Sequence, residues 1–156
     1  MRKSHARTLI LGVGNILLRD EGIGVRIIER LKQRQFPEDV ELVDGGTAGA
    51  DLIDILSDRH TVFIVDSAQS NAIPGTLLKF STENCTPQEV SSLSLHELDI
   101  PQTLAMTRLL GCAPEKVVIF GIVPETIAPG LELSQTLKQK LPFYINAIYQ
   151  ELALPI

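Results

Sequence analysis

Two cysteines and three histidines are all that the chain offers for soft metal ligation or sulfur nucleophiles. Cys85 and Cys112 lie far apart, with neither CxxC spacing nor an adjacent histidine, so two reduced structural thiols are expected rather than a disulfide framework. A basic surplus is missing too: 14 Lys and Arg stand against 19 Asp and Glu, a net charge of −5. Nucleic-acid binding needs concentrated positive charge, so a polyanion partner is excluded. No run approaches the roughly 18 apolar residues of a membrane span. The apolar stretch after "MRKSHAR" is short, broken by glycine and without a small-residue cleavage site, so neither a signal peptide nor membrane insertion is expected, and the location expected is cytoplasmic. Several catalytic signatures are also absent. There is no G-x-S-x-G elbow and no Walker loop, and His96-Glu97 is followed by Leu98, Asp99 and Ile100 rather than by H-E-x-x-H spacing. A covalent serine or cysteine mechanism therefore has little to stand on.

What is present is an alternation of strand and helix patterns in 156 residues, 44% of them hydrophobic, with a mean hydropathy of +0.16. That length suits one domain, residues 1–156, with a sizeable core. "TLILGV" (8–13), "VELVD" (40–44), "TVFIVD" (61–66) and "KVVIFGI" (116–122) are β-branched apolar runs of the kind buried on both faces of a parallel sheet. "GTLLKF" (75–80), preceded by Pro74 and carrying Lys79, reads as a shorter edge strand. Helical spacing follows Glu21 (Ile23, Ile27, Ile28, Leu31) and Gly49 (Leu52, Ile53, Leu56). A longer C-terminal stripe begins after Ser134, a good N-cap, and Pro142 is expected to bend that helix or delay its start. A further helix is placed near Pro101 and ends at Gly111, since a start at Ser94 would bury the proline ring in a helix interior at about 3 kcal/mol. The fold class expected is α/β: a three-layer α/β/α sandwich with a mostly parallel central sheet.

Ligands of such sheets bind in the crevice at the carboxyl ends of the strands, so what each strand ends on matters. The first ends in Gly12-Val13-Gly14-Asn15, the second in Asp44-Gly45-Gly46 and the third in Asp66-Ser67. Gly12-x-Gly14 imitates a dinucleotide fingerprint, but Leu17 stands where its third glycine belongs, and Asp20 and Glu21 occupy the helix start where a pyrophosphate would sit. Acids there would repel phosphate and receive a cation instead. Of the histidines, His5 lies in an N-terminal tail and His60 precedes the third strand at its amino end, on the wrong side for the crevice. His96 is left, in a loop before the helix at Pro101. Glu21, Asp66 and His96 together form an oxygen and nitrogen ligand set suited to a divalent metal. Each also has an ordinary alternative role: Glu21 with the helix dipole, Asp66 in a turn, His96 on the surface.

"LILGVGNILLRDEGIGVRIIERL", "VELVDGGTAGADL", "VFIVDSA", "PGTLL", "SLHELD" and "GIVPE", in this order along nearly the whole chain, resemble the maturation endopeptidases of nickel-iron hydrogenases. The resemblance implies an aspartic-type endopeptidase that removes a C-terminal extension from the hydrogenase large-subunit precursor after nickel insertion. It makes Glu21, Asp66 and His96 the nickel-contacting and catalytic residues, and Gly14, Asn15, Asp44, Gly45 and Gly46 the substrate groove. Nickel is then supplied by the precursor, which is the partner implied, and a monomer is expected. The apolar loop of Ile16, Leu17 and Leu18 either contacts that partner or packs inward. A non-catalytic nickel-delivery module would carry the same three residues, and a peptidase with its own zinc remains a third reading, although catalytic zinc sites are richer in histidine than this chain.

Overall fold

The computed structural model describes residues 5–46, 52–81, 94–95 and 100–153, and only the backbone of 94–95. Strands β1 (Thr8–Val13), β2 (Val40–Gly46), β3 (Thr61–Gln69), β4 (Leu77–Ser81), β5 (Ser94–Leu95) and β6 (Lys116–Ile122) alternate with helices α1 (Ile23–Leu31), α2 (Leu52–Leu56), α3 (Ile100–Leu109) and α4 (Gln135–Glu151). The main sheet has the order β2-β1-β3-β6-β4. Its first four strands run parallel, and β4 pairs antiparallel at the edge. This is the expected mostly parallel α/β architecture.

Period-two alternation divides the strand residues between two cores. Ile10, Phe63, Val65, Val118 and Phe120 face α1 and α4, whose Ile27, Ile28, Leu31, Leu137, Tyr144 and Ile148 complete that layer. Leu9, Leu11, Val62, Ile64, Val117 and Ile119 face the other way, against Leu52 and Leu56 of α2 and Ile100 and Leu104 of α3. Helices on both faces thus bury β1, β3 and β6 twice, as their apolar sequences require, whereas β2, expected to be buried in the same way, is an edge strand and stays half-buried.

Two glycines set how closely α1 lies on the sheet. A Cβ on Gly24 would fall 2.1 Å from the Val65 carbonyl oxygen and 2.5 Å from that of Val13, and one on Gly12 would fall 2.3 Å from the Gly24 oxygen. These two glycines therefore let helix backbone meet strand backbone.

Pro142 does not delay the start of the last helix. α4 begins at Gln135, with the Ser134 hydroxyl accepting from Leu137 N–H at 3.4 Å, and runs through the proline to Glu151. Burial of Leu141, Tyr144, Ile145 and Ile148 around it outweighs the local penalty. Tyr144 is itself a pH-sensitive anchor. Its hydroxyl donates to the Gly75 carbonyl at 2.7 Å, and burial, aided by the negative charge of Asp20, pushes its pKa up to about 12. An unfolded tyrosine ionises near 10, so this contribution to stability is complete below that pH and is lost as pH rises through about 12. Urea unfolding at a series of alkaline pH values is expected to show a steeper loss for the wild type than for Tyr144→Phe, whose neutral-pH stability starts about 1 kcal/mol lower.

Candidate functional site

The carboxyl ends of β1, β2 and β3 meet at Gly14. Its φ of +133° lies where side-chain-bearing residues rarely go. A Cβ there would stand 2.1 Å from the Glu21 carbonyl oxygen and 3.5 Å from Asp66 Oδ1. The bare Cα thus brings the Glu21 turn and the Asp66 carboxylate to one point of the crevice. Both acids are buried, at 4% and 2% exposure, which is rare for carboxylates without engaged partners. Asp66 Oδ1 accepts the Ser67 N–H at 2.7 Å. The neighbouring Ser67 hydroxyl is buried without a hydrogen-bond partner among the described residues.

His96 lies outside the described residues, as does Cys85. The two residues before His96 are described: Ser94–Leu95 pair antiparallel with the end of β3, Leu95 opposite Ala68 and Ser94 opposite Gln69. The two positions before His96 are thus paired with the end of β3, two and three residues beyond Asp66. No group of three His, Cys, Asp or Glu side chains suited to a metal occurs among the described residues. His60, as expected, stands at the amino end of β3, with Nε2 3.2 Å from Glu115 Oε2. Cys112 is a buried free thiol 3.2 Å from the Ser57 hydroxyl.

The residues expected to form a groove divide. A cavity of about 300 Å³ beside the Gly14 turn is lined by Gly14, Asn15, Asp44 and Gly46 together with Ile16, Leu17 and Val25. Asn15 shapes the turn by accepting Leu17 N–H at 2.9 Å, and Asp44 does the same for Gly46 N–H at 2.9 Å. Gly45 is placed elsewhere. The β1–β2 register jumps here, Gly12 opposite Asp44 and Val13 opposite Gly46, so Gly45 is the extra residue of a bulge and packs against Leu11 and Val13. Leu17 is 60% exposed at the cavity's rim and so does not pack inward, while Ile16 and Leu18 are half-buried.

Asp20 is the clear correction. Sequence order makes it a second cation-facing acid beside Glu21, but its carboxylate is wholly buried and occupied by three backbone donors. Oδ2 accepts from Glu125 and Thr126 N–H at 3.0 and 2.9 Å, and Oδ1 accepts from Ser134 N–H at 2.7 Å. These bonds tie the turn Arg19–Gly22 to the segment after β6, where the "GIVPE" motif ends. A second hollow, of about 590 Å³, lies between that segment and the end of β3, with Gln69, Asn71, Val123 and Glu125 in its walls.

Comparison with known proteins converges on one group. The sequence model of the HycI hydrogenase maturation protease family matches residues 25–151. The chain is 40% identical over 135 residues to the hydrogenase 2 maturation protease of Escherichia coli K12, covering 85% of this chain and 82% of that protein. It is 35% identical over 122 residues to the hydrogenase expression/formation protein HoxM of Azotobacter vinelandii, covering 76% of this chain but only 58% of that longer protein. The solved structure of the hydrogenase maturating endopeptidase HybD from E. coli superposes with a TM-score of 0.82 at 35% identity, over 94% of this chain and 92% of that one.

Proposed function

The chain belongs to the hydrogenase maturation protease family, and from that premise we infer that it is an endopeptidase that removes the C-terminal extension of a nickel-iron hydrogenase large-subunit precursor once nickel is in place. In this reading nickel is part of the substrate. Glu21, Asp66 and His96 complete its coordination, so the loaded precursor is the one positioned for cleavage. The observation that carries the reading is the junction at Gly14, where the Glu21 turn and the buried Asp66 carboxylate come together at the mouth of the crevice. Two carboxylates and an imidazole leave coordination positions open for ligands already on the ion.

Hydrolysis of the peptide bond then has two sources of help. The ion polarises the scissile carbonyl or lowers the pKa of an attacking water, and a site carboxylate within reach takes the water's proton. The cavity lined by Gly14, Asn15, Asp44 and Gly46 receives the extended tail, because glycines allow backbone to approach backbone. Exposed Leu17 at its rim offers the large subunit an apolar contact. The setting expected is the cytoplasm, and no helix among the described residues is long and apolar enough to cross a membrane.

Incubation with a nickel-loaded large-subunit precursor, followed by mass measurement, tests the reading. Loss of a C-terminal peptide is the expected result. Binding of the loaded precursor without any loss of mass would point to nickel delivery rather than proteolysis.

A further inference from the structure

We propose that Asp20 is a positioning residue, which clamps the segment 123–134 onto the turn carrying Glu21 and thereby fixes where the Glu21 carboxylate stands. The proposal rests on the reading above in taking Glu21 as the group that meets the substrate's metal. What is new is the device that aims it.

Asp20 has no exposed surface, and its carboxylate answers three backbone N–H groups more than 100 positions away in sequence, those of Glu125, Thr126 and Ser134. Its own N–H donates to the Thr126 carbonyl at 3.1 Å. Around this centre the same two segments are tied repeatedly. Arg19 N–H donates to Gly130 O at 3.1 Å, and Gly130 N–H to Leu17 O at 2.9 Å. Arg19 Nε reaches Glu132 O at 3.0 Å and Arg26 Nη2 reaches Leu131 O at 2.8 Å. The far end of the segment is held as well, by Gly75 N–H on Val123 O at 2.7 Å and Val123 N–H on Thr76 O at 3.0 Å. Arg19 sits at φ +52°, a left-handed conformation unusual for a long side chain, and such strain persists only where the surroundings impose it.

The Asp20 and Arg19 bonds land on one short 3₁₀ turn, Arg19–Gly22, and the Leu17 and Arg26 bonds flank it on either side. Glu21 is its third residue, bonded directly to Asp20, and its carbonyl oxygen already touches Gly14. A displacement of Asp20 is therefore transmitted to Glu21 through a single peptide unit that has no slack on its other side. The "GIVPE" stretch, which sequence alone leaves without a role, supplies the rigid partner against which the turn is held.

Asparagine at position 20 keeps one acceptor oxygen and sets an amide donor against backbone donors, so Asp20→Asn loosens the clamp without changing side-chain size. Arg26→Ala loosens its margin at a half-exposed position and remains usable should the first variant not fold. Cleavage of nickel-loaded precursor is measured where circular dichroism shows each variant folded, for wild type, D20N, R26A, E21Q and D20N/E21Q. We expect D20N to lower kcat by about tenfold or more with KM within about twofold, R26A to do so by about two- to fivefold, and the double variant to be no slower than E21Q. Wild-type kcat in both D20N and R26A, or a D20N loss that adds in full to that of E21Q, overturns the proposal. Should E21Q itself cleave at the wild-type rate, the metal-contact reading fails. The positioning is then judged by the NMR shift of the Glu21 side-chain carboxyl and the Gly22 amide: displaced in D20N and R26A if Asp20 aims Glu21, unmoved in both if it does not.

Discussion

Gly14→Ala is expected to abolish precursor processing, a loss of about a hundredfold or more, while most of the fold still stands. The added methyl would meet the Glu21 carbonyl oxygen at 2.1 Å and its carbon at 3.2 Å, both backbone atoms. No side-chain rotation relieves such a contact, so the Glu21 turn itself must move. That turn is held from behind by Asp20 and the 123–134 segment, so the movement displaces Glu21 itself. Backbone strain adds to the effect, because φ at Gly14 is +133°, and a residue with a Cβ held there costs about 1–3 kcal/mol. The checks are a cleavage assay beside a thermal melt. A folded variant that processes precursor at the wild-type rate would mean that the Glu21 position is irrelevant to the reaction.

Gly24→Ala addresses the fold instead, and a large loss of stability is expected. Two effects oppose each other. Alanine is the better helix former by about 1 kcal/mol. Against this, the new Cβ would lie 2.1 Å from Val65 O and 2.5 Å from Val13 O, on two adjacent strands of the sheet centre that cannot part without breaking the ladder. Overpacking of a side-chain pocket costs about 1–3 kcal/mol, and backbone obstacles on both sides push toward the upper end or beyond. The clash wins. A net loss of about 2–3 kcal/mol should lower the melting temperature by about 5–10 °C. A melting temperature at or above that of the wild type would contradict the close helix-on-sheet contact.

The same glycines show what sequence makes legible and what it does not. β1 and β6 coincide with their apolar runs, since a strand buried on both faces must be apolar throughout and advertises its own ends. β3 was legible only to Asp66. Its continuation through Ser67, Ala68 and Gln69 is held by pairing with β5, a contact between distant segments of undistinguished composition. A start delayed by Pro142 is not seen, because local penalties are visible in sequence and the burial that offsets them is not. The acids separate in the same way. Glu21 and Asp66 draw notice in the sequence at a strand-to-helix turn and at the close of an apolar run, whereas Asp20, one residue from Glu21, is turned to backbone donors from the other end of the chain. No spacing rule links position 20 to positions 125, 126 and 134. Gly45 follows that pattern, since a bulge set by the β1–β2 register turns it from the groove that its neighbours line.

The central claim is that two carboxylates and an imidazole recognise nickel held by the substrate and thereby license its cleavage. It is tested most directly by mass measurement of nickel-loaded and nickel-free precursor after incubation with the wild type and with Glu21→Gln, Asp66→Asn and His96→Gln. The account predicts that the wild type releases the C-terminal peptide from the loaded precursor alone, and that each variant is slowed by about a hundredfold or more. Full activity in all three variants, or equal cleavage of both precursors by the wild type, would contradict it.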